Sequence, residues 1–267
     1  MKLINVFVLL FSLYFNTSYS QNYLDFYFKS RSINGAIIIV NEDDTYFASN
    51  RETEGMKETP PSNLFHLFAY LMIYDKNIHK KESLYLKWDS VNRYFFNETR
   101  KEWNKDTDLD TAFKEHNDWY FQTYLNDFTK EEIEQKLKVI GYTNKKWNDE
   151  IPYYWQFGGM LITANQQIKF LKKLFKKELP FSVESQEKLL QLLKINQNPS
   201  IKLYGLDAFT VYNGERIDWF TGVLEKEGKH YFFSTRTYHN IETDMNENYP
   251  KEKFVITSEI FDILYLL

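Results

Sequence analysis

The chain has 267 residues, 33 basic and 37 acidic side chains, a formal net charge of −4 and 43% hydrophobic content. That supplies enough apolar material for a sizeable core and excludes global disorder. The near-balance of charge argues against a nucleic-acid partner, which needs a basic face, and the absence of cysteine leaves neither a disulfide nor a lipid-modified thiol.

Residues 1–20 read as a secretory signal. Lys2 is a short positive head, Leu3 to Phe15 is apolar, and Ser18-Tyr19-Ser20 before Gln21 is a small-x-small cleavage site. The apolar run is short for a membrane span and lacks a stop-transfer flank, although an uncleaved anchor helix is the alternative. The expectation is a secreted or periplasmic protein beginning near Gln21, with no membrane span after cleavage and a single domain over residues 21–267. Without disulfides it must rely on its core.

After an aromatic opening, Tyr23 to Phe28, the β-branched run Gly35 to Val40, a turn over Asn41 to Asp44 and the run Thr45 to Ser49 predict a hairpin. Pro60-Pro61 then stops the chain, and Ser62 opens an apolar stretch through Tyr74 with no polar face, the pattern of a helix buried all round. A hydroxyl at such a helix start, beside backbone N–H donors, suits a serine nucleophile and equally a plain cap. Helical periodicity follows from Thr107, again over Trp119 to Leu125, and again from Asp127 through Leu137. Gly141-Tyr142-Thr143-Asn144 is a loop. Thr163 caps an amphipathic helix that Pro180 breaks, and Ser182 starts another through Leu193. The tail returns to strand over Leu203 to Tyr212, then a hairpin of Trp219 to Glu225 and His230 to Thr237 around Glu227-Gly228, and closes with a helix over Phe254 to Leu267. Strands at both ends with helices between predict an α+β domain: one antiparallel sheet formed by N- and C-terminal strands, packed by helices, with a central buried helix.

The order of landmarks resembles the class D (oxacillinase-type) serine β-lactamases and the related β-lactam-sensor domains of the penicillin-recognising fold. Pro60-Pro61-Ser62 stands where that family has Pro-Ala-Ser-Thr-Phe-Lys. Lys87-Trp88-Asp89 and Trp103-Asn104-Lys105-Asp106 are similar to its tryptophan segments. Tyr154-Trp155 with Gly158, Leu179-Pro180-Phe181-Ser182, and Trp219-Phe220 with Gly222 are similar to further family stretches.

The resemblance implies a serine nucleophile with a carbamylated lysine base one helical turn later, because residues three apart share a helix face. Here the serine is Ser62, but the base position is Phe65, which has no acid–base function. His66 is displaced by about 100° around the helix. The relay serine of the family falls at His116, and its carboxylate-binding Lys-Thr-Gly at Leu206-Asp207-Ala208, which removes a cation and adds an anion. The family arginine that grips the ligand falls near Glu252, flanked by Lys251 and Lys253. Trp155, Tyr142, Asn144 and Leu206 correspond to ligand-facing positions, Trp155 to the tryptophan that shields the carbamate. Losing one member of a nucleophile–base unit commonly costs ~10⁴ to 10⁶ in rate.

The resulting expectation is a pseudoenzyme of this superfamily whose partner is a cell-wall fragment, a β-lactam or a protein. Two alternatives stand beside it: a serine hydrolase rebuilt from Ser62, His116 and Asp207, and residual penicillin binding or hydrolysis through Ser62. No cofactor and no metal are expected. The spacing of Asp106, Asp108 and Asp110 lacks the glycine and distal glutamate of a calcium loop and reads as an acidic helix start.

Overall fold

The computed structural model describes residues 23–43, 46–49, 55–77, 84–96, 98–142, 147–197, 200–242 and 249–267. The signal segment, the turn residue Asp44, the strand start Thr45, and Thr143 and Asn144 of the candidate ligand loop lie outside them. The principal elements in chain order are β1 (Gly35–Asn41), β2 (Tyr46–Ser49), α1 (His66–Lys76), α2 (Leu109–Lys114), α3 (Asp118–Leu125), α4 (Lys130–Ile140), α5 (Ala164–Lys176), α6 (Val183–Leu192), β3 (Lys194–Gln197), β4 (Ile201–Tyr212), β5 (Glu215–Lys226), β6 (Lys229–Asn240) and α7 (Tyr249–Ile263). They fall into two compact units. The first comprises the described part of Met1–Thr59, with Ile162–Lys172 and Ile195–Leu267; the second comprises Pro60–Leu161 and Lys173–Lys194.

The first unit carries a six-stranded sheet of order β2-β1-β6-β5-β4-β3. β1 pairs antiparallel with both β2 and β6, and β5 with both β4 and β6, so strands from the two ends of the chain share one sheet as expected. Ile37 and Ile39 of β1 pack with Phe220, Phe233, and Ile256, Ile260 and Phe261 of α7. The aromatic opening is helical over residues 23–30 and adds Leu24, Tyr27 and Phe28 to the same cluster. The tail strands are longer than their apolar runs, 12 residues each. Two tight turns with both central residues at positive φ set their register: Glu227-Gly228 (52° and 74°) and Asn213-Gly214 (52° and 78°). The closing helix begins earlier than its apolar pattern, at Tyr249, and ends at Ile263.

In the second unit α1 is buried from His66 through Tyr74. Asp108 caps α2, its Oδ1 accepting the Thr111 N–H at 2.7 Å, so the acidic triplet is a helix start. Thr129 and Glu132 form a capping box on α4, which Gly141 ends at φ 77°. The Ser182 N–H and Oγ–H both donate to the Asp75 carboxylate, at 2.8 and 2.6 Å, tying the start of α6 to the end of α1. α5 stops before Pro180 is reached, because Lys177 already turns to φ 58°. No helix of the described residues is long and apolar enough to cross a membrane.

Gly222 sits at the centre of the sheet, opposite Gly205 on β4 and Phe233 on β6. A Cβ there would lie 2.0 Å from the Tyr204 carbonyl oxygen, so strand backbone would have to move. Gly222→Ala is expected to lower stability by about 1–3 kcal/mol, read as a lowered urea midpoint.

Candidate functional site

Pro60 and Pro61 deliver the chain to Ser62, whose φ of 52° lies in the left-handed region. A serine there costs roughly 1–2 kcal/mol, which its surroundings must offset. Its N–H donates to the Trp155 carbonyl at 2.9 Å, and a 3-10 turn, Ser62–Phe65, leads into α1. Neither that turn nor α1 has a side-chain cap, so the cap reading of Ser62 is corrected: its hydroxyl turns to side chains instead.

The Ser62 Oγ lies 2.9 Å from Asn63 Oδ1 and 2.8 Å from Gln156 Oε1. The orientation of both amides is fixed by their other partners. Asn63 Nδ2 donates to the His116 carbonyl at 3.3 Å, which turns its oxygen toward Ser62. Gln156 Nε2 lies 2.9 Å from Asn63 Oδ1 and 3.0 Å from Asp118 Oδ2, two acceptors that only a donor can face. Asp118 Oδ1 then accepts from Trp155 Nε1 at 2.6 Å and from His66 Nε2 at 2.8 Å. Ser62, His66 and Gln156 are wholly buried and Asp118 is 1% exposed.

Phe65, the last residue of the turn that Ser62 opens, is held by aromatic packing. The Phe65 ring stacks on Trp155 with centroids 5.2 Å apart and planes 16° from parallel, and touches Phe68 and Tyr154. Trp155 therefore presents its face to Phe65 and its indole N–H to Asp118. His116 follows α2 at φ 51° and accepts from Asn63 through its backbone oxygen. Tyr142, just beyond α4, is completely buried, and burial pushes its phenol well above the ordinary value.

The remaining candidates belong to the first unit. Leu206 of β4 is buried, 8% exposed. The Asp207 carboxylate is 3.0 Å from Lys253 Nζ of α7, so its charge is paired within its own unit. Lys253 also lies 3.5 Å from Asp218, which Arg216 holds bidentately at 2.7 and 2.9 Å. Glu252 pairs with His239 at 3.2 Å, so the helix residue facing β4 is Lys253.

Sequence reasoning missed Asp118, Gln156 and Asn63. Asp118 is the first residue of α3 after its Asn117 cap, where an acid is ordinary and nothing marks it out. Gln156 is a polar residue in a loop, with no periodicity to single it out.

Burial lowers the His66 pKa below its ordinary 6.5; the bond to Asp118 opposes this and the charge of His116 adds to it. The neutral ring donates through Nε2, and among the described residues its buried Nδ1 has no hydrogen-bond partner. The unfolded chain takes up this proton near pH 6.5 while the native state does not, so the contribution is full above that pH and lost as pH falls below it. Stability is expected to drop by up to about 1.4 kcal/mol per pH unit there. Thermal unfolding of His66→Gln between pH 5 and pH 8 should show a flatter profile than the wild type.

One unit thus holds a serine-headed buried helix, and the other an antiparallel sheet. The chain belongs to the penicillin binding protein transpeptidase domain family, whose sequence model matches residues 34–255, within the class D β-lactamase/transpeptidase-like superfamily. Among curated proteins it is 26% identical over 222 residues to the methicillin resistance mecR1 protein of Staphylococcus aureus, an alignment covering 82% of this chain and 37% of that protein. The chain thus spans little more than a third of that relative. Among solved structures it is similar to the class D β-lactamase YbXI from Nostoc, with TM-score 0.79, 27% identity, and coverage of 91% of this chain and 99% of the other. The C-terminal domain of the Bacillus licheniformis BlaR penicillin-receptor shares the fold, with TM-score 0.78, 23% identity, and coverage of 91% and 94%.

Proposed function

We propose that this is an exported, catalytically degenerate member of the superfamily that binds a protein partner or a cell-wall-derived ligand and does not turn over β-lactams. One observation carries the reading. By the family resemblance Phe65 falls at the position of the general base; its ring is stacked on Trp155 and has no proton acceptor of its own. The burial of Ser62 and of its two amide partners supports it. So does Leu206, which supplies no cation for a ligand carboxylate. Export rests on the signal pattern of residues 1–20.

Purified protein should neither hydrolyse nitrocefin above background nor take a covalent label from a fluorescent penicillin. A label that disappears in Ser62→Ala would overturn the proposal. Returning a lysine alone is also expected to fail. Phe65→Lys places a charge among aromatic rings and should cost about 3–5 kcal/mol in urea unfolding while restoring no nitrocefin hydrolysis.

A further inference from the structure

At the end of α1 remote from Ser62, the second unit holds a cavity of about 470 Å³, lined in part by Tyr74. That volume lies in the range of roughly 300–1,000 Å³ common to small-molecule sites. Ser62 and Tyr74 stand at opposite ends of the buried segment, roughly 18 Å apart along a helix that rises 1.5 Å per residue, so this cavity is separate from the serine centre. We infer that it binds a primary alkylammonium group, the chemistry shared by a lysine side chain and a free aliphatic diamine. The inference is independent of the reading of Ser62.

The cavity has an apolar floor and an acidic rim. Tyr74 of α1, Leu109 of α2 and Leu84 are buried and form the floor. Antiparallel pairing of Tyr85 with Asp108 and of Leu86 with Thr107 holds Leu84 beside the start of α2. The bonds from Ser182 to Asp75 tie α6 to α1, which fixes the opposite wall. At the rim, Asp108, Glu184 and Glu187 are exposed, so the cavity is open to solvent. Four carboxylates, these three and Asp110, line it against one cation, Lys188, which favours a positive ligand and disfavours an anion.

The hydrogen bonds at the rim select the kind of cation. Tyr70 donates to Asp110 Oδ1 at 2.8 Å, and Lys188 holds Oδ2 at 2.9 Å. Tyr74 donates to Glu184 Oε1 at 2.8 Å, the Thr111 N–H donates to Asp108 Oδ1 at 2.7 Å, and Lys177 pairs with Glu187. Every carboxylate is thus oriented through at least one oxygen, and none presents both to the fork of a guanidinium. An ammonium needs only single acceptors, and Lys188 on Asp110 shows that one fits this rim. Among the described residues no three acids or histidines are grouped to hold a metal ion, so the rim favours an organic cation. The alkyl stem of such a ligand covers the Leu84, Leu109 and Tyr74 floor while its head stays at the wet rim.

The test titrates the full chain calorimetrically with 1,5-diaminopentane and with acetyl-lysine amide, using acetyl-arginine amide and 1-pentanol as controls. An amine should bind saturably with a Kd of about 1 mM or tighter, and the controls about tenfold more weakly. Binding of the diamine alone assigns the site to a free amine, and binding of both admits a lysine side chain; either result supports the inference. Glu184→Gln keeps an acceptor for Tyr74, and Asp108→Asn keeps the cap of α2. Each should weaken the amine by about fivefold, whereas Lys188→Met, which removes the resident cation, should tighten it by about threefold. Urea midpoints check that the variants fold, and either carboxamide variant alone carries the test if the other does not. The inference is overturned if neither amine binds saturably, or if acetyl-arginine amide binds as well as they do. It is also overturned if the folded carboxamide variants bind the amine as tightly as wild type, which would mark an adventitious surface contact. Each of these failures leaves the reading of Ser62 standing.

Discussion

Local structure around Ser62 is governed by the need to satisfy one buried carboxylate. Removing an ionisable group from water costs several kcal/mol unless donors replace the lost solvent. Asp118 is met by an indole, an imidazole and an amide, drawn from the 147–161 loop and from α1. Each donor is then fixed in orientation, and each fixes something else. Trp155 offers its face to Phe65, His66 stacks on Phe121 at 4.0 Å, and Gln156 sets the direction of the serine hydroxyl. The left-handed backbone at Ser62 is tolerated inside this over-determined arrangement, with its N–H held by the loop that carries Trp155.

Within this frame, charged groups are paired internally in each unit. The second unit carries Asp118 at the head of α3, met by three donors. In the first unit Lys253 of α7 is buried and pairs with Asp207 and Asp218. A buried network of this kind has high stakes, because any unpaired member would cost more than the network returns.

Aromatic packing carries much of the remaining burden. Phe65, Phe68, Tyr154 and Trp155 form a contiguous ring cluster, and rings in tilted or stacked contact add about 0.5–1.5 kcal/mol per pair beyond their burial. A phenyl ring at position 65 therefore stabilises this cluster.

The sequence by itself determined the sheet built from both chain ends, the buried α1, and the helix starts of α2, α4, α5 and α6. These follow from local periodicity, turn chemistry and the identity of single residues, all of which are written in one stretch of chain. It also located Ser62, though not its role at the helix start, because a positive φ leaves no mark on neighbouring residue types. The Asn213-Gly214 turn is written in its residue types, while the helix over residues 23–30 and the early start of α7 at Tyr249 leave no mark in apolar spacing. Only the tertiary structure decided that Asp118 meets Gln156, that Gln156 meets Ser62, and that Lys253 meets Asp207. Those pairs lie tens of residues apart, and hydrogen bonds and ion pairs depend on distances of an ångström that no periodicity encodes.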